Sequence, residues 1–165
     1  PSRRLVAFAG DPRGWVPRRF EVVGQPDGDL LHRLTVAFSE VGGPALLIGT
    51  RTPQLTPRLL DSALAALLEA DTEAVLGPTQ SERVWAIGLR GRDPRLLRSG
   101  TDGDPTDSGT VRARLSASGL RIAELARLRA VETFSDAVAV AEETPNRRFV
   151  EALGALPFGA DPANA

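Results

Sequence analysis

The residues able to do chemistry in this chain are few, and their types narrow the choice sharply. There is no cysteine, so thiolate nucleophiles, disulfides and zinc-thiolate sites are excluded. All 20 basic residues are Arg and none is Lys, which removes Schiff-base and P-loop lysine chemistry. The single histidine, His32, sits on a helical pattern beside Arg33 and reads as a helix-face residue rather than part of a Ser-His-Asp triad. Asp102, Asp104 and Asp107 are spaced loosely like a calcium loop. They lack its central glycine and closing glutamate, so a solvated loop is the reading. No G-x-G-x-x-G, Walker A, H-E-x-x-H or G-x-S-x-G pattern occurs. The Arg-only usage reads as the composition of a GC-rich genome, with forked recognition of phosphate by guanidinium groups as the functional alternative.

The elements that must position these groups alternate between short apolar runs and helical stripes. Strands are expected at Leu5–Ala9, Phe20–Val23, Pro44–Gly49, Ala74–Gly77, Val84–Leu89 and 120–125. Pro44–Gly49 is apolar without alternation, which predicts a central parallel strand covered on both faces, flanked by 5–9 and 74–77. Leu30, Leu31, Leu34, Ala37, Phe38 and Val41 form one helical stripe, ended by Gly42-Gly43. Thr56-Pro57 opens a second helix through Leu68, and Asp93-Pro94 a short one through Arg98. Residues 99–109 read as loop, 109–118 as helix, and Thr133-x-x-Asp136 as the capping box of a helix over 134–143. A last helix runs from about Asn146 to Leu156. The fold class is α/β with a mostly parallel sheet flanked by helices, one domain over 1–156 and a flexible tail over 157–165.

At 165 residues and 42% apolar composition the chain can bury a sizeable core. Its 20 basic and 21 acidic residues nearly cancel, which argues against a nucleic-acid or anionic-membrane partner. No apolar run reaches membrane-spanning length and no signal peptide opens the chain, so the expected location is cytoplasmic.

Three stretches, Gln25–Leu34, Gly49–Pro57 and Gly77-Pro78 followed by Trp85–Leu89, together with Leu128–Thr133, resemble the GT-A superfamily of nucleotide-diphospho-sugar transferases. The likeness runs over about residues 4–156 and is greatest to a bacterial glycosyltransferase-A-like branch of uncharacterised activity. The molybdenum-cofactor and phospholactate guanylyltransferases are more distant. The resemblance implies a glycosyltransferase-like or nucleotidyltransferase-like protein, with a nucleotide or nucleotide sugar as partner. Its implied nucleotide-binding positions are Gln25, Gly28, Arg33, Thr50, Arg51 and Thr52; no residue is assigned a catalytic role.

The departures fall on polar positions. Arg51 stands where the family pattern G-x-D-x-P has its Asp, expected near a divalent metal and the diphosphate. Arg129-Ala130-Val131-Glu132-Thr133 stands for R-D-V-D-T, and the family's first strand, with its basic glycine-containing loop, has no counterpart ahead of Ser2. No cofactor is therefore expected, and no Mg²⁺ or Mn²⁺ site near Arg51, because a guanidinium repels the cation. The enzyme reading is glycosyl or nucleotidyl transfer, metal-assisted as the resemblance implies or, in a variant, without metal and with Arg51 forking onto the diphosphate; the rival reading is a non-catalytic binding or interaction module. An edge left open beside the 5–9 strand leads to the expectation of a homodimer or a covered edge.

Overall fold

Two apolar runs near the start of the chain pair first with each other. The computed structural model describes residues 3–14, 16–91, 93–98 and 103–156. In it β1 (Leu5–Phe8) lies parallel to β2 (Glu21–Gly24), as a two-stranded sheet of its own. Helix α1 (Leu30–Val41) follows. Asp29 caps it by accepting the His32 N–H at 2.7 Å, and Gly42 ends it at φ 68°, where a side chain would be strained. Its stripe turns Leu34 and Phe38 into the core.

β3 (Ala45–Ile48) leads to α2 (Pro57–Leu68), capped by the Thr56 hydroxyl with proline at the first turn. β4 (Ala74–Pro78) and β5 (Val84–Leu89) come next, then a 3-10 turn at Pro94–Arg98. Asp107 caps α3 (Ser108–Ala117), which precedes β6 (Ile122–Glu124). The chain then forms α4 (Phe134–Glu143) and α5 (Arg147–Gly154), capped by Thr133 and Asn146. The Thr133–Asp136 capping box is present in full.

The second sheet has the order β3-β5-β4-β6. Alternate residues of β4 and β5 divide the core. Ala74, Leu76, Ile87 and Leu89 join Leu34, Phe38, Leu97, Val111 and Leu115 in one cluster. Val75 and Gly88 belong to the other face. A Cβ on Gly88 would lie 2.5 Å from Val75 Cγ2 and 3.2 Å from Leu67 Cδ2, so the glycine lets α2 approach.

The α/β class with flanking helices is as expected, but the pairing is mixed. β1–β2 and β4–β6 are parallel, whereas β3–β5 and β4–β5 are antiparallel. The link from Pro78 to Val84 is too short for a parallel crossover, so β5 must return against β4. The expected place of β3 is corrected by the same pairing. β3 is an edge strand antiparallel to β5, β1 does not flank it, and Ile48 is 41% exposed. The centre is held by β4 and β5, buried on both faces except at Val84. Continuous apolarity predicted burial, but it carries no information on which strand lies alongside.

Asp104 and Asp107 of the acidic loop accept hydrogen bonds within the chain, from Thr106 and Thr110. Asp102 and the tail over 157–165 lie outside the described residues. Among the described residues no helix is long and apolar enough to cross a membrane.

Candidate functional site

The segment leading into α4 is stretched between two loops at the end of the second sheet. On one side the Val131 N–H donates to the Arg51 carbonyl at 2.8 Å, and the Gln54 amide donates to the Arg129 carbonyl at 2.6 Å. On the other, the Gln80 N–H donates to the Leu128 carbonyl at 2.9 Å and Arg127 Nη1 to the Thr79 carbonyl at 2.9 Å. Trp85, 2% exposed on β5, donates its indole N–H to the Ala126 carbonyl at 2.9 Å. It is a core residue with one polar tie to this segment. The bonds to both loops leave a cavity of about 290 Å³ lined by Gln80, Ser81, Arg129, Ala130, Glu132 and Asp136.

The turn between β4 and β5 carries Gln80 and Ser81 to the cavity. The Arg83 N–H donates to Thr79 Oγ1 at 2.9 Å, and Thr79 Oγ1 lies 3.1 Å from Ser81 Oγ. Glu82 is held at φ 57°, the one non-glycine at positive φ among the described residues. Such backbone persists only where its surroundings over-determine it. Here the Ser108 N–H and hydroxyl donate to the Glu82 carbonyl and carboxylate, at 2.8 and 3.1 Å, and Arg127 pairs with the same carboxylate.

Charge around the cavity is organised in pairs. Arg83 is joined to Asp104, Arg127 to Glu82, and Arg129 to Asp136 at 3.5 Å. Asp136 also accepts from the Thr133 hydroxyl at 2.8 Å and the Thr133 N–H at 3.0 Å, which hold its carboxyl below the usual range, the hydroxyl most of all. The Thr106 hydroxyl and N–H, with Arg83, draw Asp104 down to about 2. The Glu132 carboxylate stands between Arg51 Nη1 at 3.6 Å and Arg83 Nε at 3.9 Å. Arg129 Nε and Gln54 Oε1 are enclosed without a hydrogen-bond partner.

These residues do not fit a divalent cation. Among the described residues no three His, Asp or Glu side chains converge as a ligand set. The two carboxylates that line the cavity each face a guanidinium, and Asp136 spends one oxygen on the helix cap. A metal would compete with fixed positive charge for every donor.

Of the positions that the sequence singled out, Arg51 reaches this site, its side chain 66% exposed. Thr50 precedes it on the surface. Thr52 is buried, its hydroxyl without a partner. Gln25, Gly28 and Arg33 do not line the cavity. Gln25 donates to the Ala7 carbonyl at 3.3 Å, Gly28 packs beside His32 at φ 122°, and Arg33 is half-buried on α1. Arg83, Arg129, Gln80, Ser81, Glu132 and Asp136, at or beside the cavity, are not among those positions. The signal for them lay in the stretches after Gly77-Pro78 and before α4, where a string gives no hint that the two meet.

A family of uncharacterised proteins conserved in bacteria (DUF2064) matches residues 3–101, more than half of the chain. The chain belongs to this family. Its fold is similar to that of a solved structure from Desulfovibrio desulfuricans G20, described as a "putative nucleotide-diphospho-sugar transferase". The TM-score is 0.76 at 18% identity, over 94% of this chain and 75% of that one. The two chains therefore share one fold. No curated protein matches the chain.

Proposed function

We propose that this transferase-like fold binds the phosphate-bearing part of a nucleotide or nucleotide sugar in the cavity beside Glu132, with guanidinium groups in place of a divalent cation. The observation that carries the reading is the gathering of Arg51, Arg83 and Arg129 about the two carboxylates that line the cavity. The first two flank a single carboxylate, and the third has an enclosed Nε without a partner. Guanidinium groups fork onto phosphate oxygens through charge-assisted hydrogen bonds at about 2.7–2.9 Å. Gln80 and Ser81 add neutral donors to the lining. The neighbouring structure's description supports a nucleotide sugar as the ligand class.

Titration calorimetry with nucleoside diphosphates, with and without EDTA, tests the proposal. Binding is expected to persist in the chelator and to weaken at least tenfold in Arg51→Gln. No binding of any nucleoside diphosphate, or binding that requires Mn²⁺, refutes it. A second reading, a binding module without turnover, is favoured by the paired state of the cavity carboxylates. Asp136, tied to the α4 cap and to Arg129, is not free to act as a general base. Hydrolysis or transfer of a nucleotide sugar in a stopped assay would decide against that second reading.

A further inference from the structure

We propose that Glu132 is a built-in occupant of an anion seat between Arg51 and Arg83, which the phosphate group of a ligand must displace. The inference rests on the phosphate-binding reading above, and adds the residue that sets affinity.

The four carboxylates around the cavity are held very differently. Asp104 accepts from the Thr106 N–H and hydroxyl, at 2.8 and 2.6 Å, and pairs with Arg83. Asp136 is fixed by the capping box, and Glu82 by Arg127 and Ser108. The Glu132 side chain accepts no hydrogen bond among the described residues. Its two cations stand 3.6 and 3.9 Å away, beyond hydrogen-bond range. Arg51 is equally uncommitted, since Glu132 is its one ion-pair partner among the described residues. Glu132 is thus a loosely seated anion between two cations at the cavity wall.

Its backbone, by contrast, is anchored. The Glu132 N–H donates to Asp136 at 3.4 Å, and the preceding Val131 N–H to the Arg51 carbonyl at 2.8 Å. The carboxylate can therefore swing aside by side-chain rotation while the walls of the seat stay in place. A terminal phosphate entering the seat carries more charge than a carboxylate and a third non-bridging oxygen. It can form with Arg51 and Arg83 the hydrogen bonds that Glu132 does not. The displaced carboxylate stays nearby and repels the ligand, so Glu132 lowers affinity for every anion.

The test measures binding of inorganic phosphate, inorganic pyrophosphate and a nucleoside diphosphate to the unmodified protein and to variants. Melting temperatures confirm that each variant is folded. Glu132→Gln and Glu132→Ala are expected to bind pyrophosphate about tenfold tighter, as removal of a like charge a few ångströms away implies. Arg51→Gln is expected to weaken it about tenfold, and Glu132→Gln to give little gain when Arg51 is already Gln. Glu143→Gln, on the exposed side of α4, serves as the control for net charge and should change nothing. Pyrophosphate binding as tight as that of the nucleoside diphosphate would mark free pyrophosphate as the ligand; a clear preference for the latter would mark a nucleotide. Binding by the unmodified protein that neither Glu132 variant tightens overturns the inference but leaves the proposed function standing. Absence of binding in the unmodified protein and every variant overturns both.

Discussion

Gly77→Ala probes the joint between the sheet core and the candidate site. A Cβ built on Gly77 would lie 2.5 Å from Trp85 Cε2 and 2.6 Å from its Nε1, far inside van der Waals contact. The indole cannot simply yield, because it is 2% exposed and its N–H donates to the Ala126 carbonyl at 2.9 Å. Overpacking of this kind costs about 1–3 kcal/mol. Displacing the ring also strains or breaks the indole hydrogen bond, worth roughly 1 kcal/mol. The expected loss is about 2–4 kcal/mol, a fall in Tm of roughly 5–12 °C for a chain of this size. Urea unfolding followed by circular dichroism measures it. Trp85→Leu removes both ring and clash. The double variant should therefore cost less than the sum of the two single variants by at least ~1 kcal/mol. Gly77→Ala within about 0.5 kcal/mol of the parent, or strict additivity in the double variant, would refute the reasoning.

Other consequences can be checked separately. Thr133→Ala removes the hydroxyl that caps α4 and orients Asp136, so a loss of about 1 kcal/mol is expected in urea unfolding. Asp104, held at about 2 against an ordinary 3.8, binds fewer protons folded than unfolded between those values. Its contribution is complete above pH 4 and is lost as the pH falls toward 2. Thr106→Val should raise the Asp104 titration midpoint, as read by NMR. The β1–β2 pair and the outer edge of β3 meet no further strand among the described residues, and Val22 on β2 and Ile48 on β3 stay 45% and 41% exposed. Self-association is therefore expected in sedimentation equilibrium, and a strict monomer at high concentration would contradict it.

Local order was legible in the string because its causes are local. The stripe from Leu30 to Val41, the Gly42 stop, Thr56-Pro57 and the Thr133–Asp136 box all became helix limits, since caps and 3.6-residue periodicity act within a few residues. The α/β class followed from the alternation of such elements. Strand order did not. β3 is as apolar as a central strand, yet lies at an edge, because pairing depends on which backbone arrives alongside. The site divides in the same way. Arg51 stood out by its place after an apolar strand, and Glu132 by its place in a recognisable motif. Their juxtaposition with Arg83 comes from hydrogen bonds such as Val131 N–H to Arg51 O and Gln80 N–H to Leu128 O. Those bonds join segments 80 and 48 residues apart in sequence, and only the folded chain brings their partners within reach.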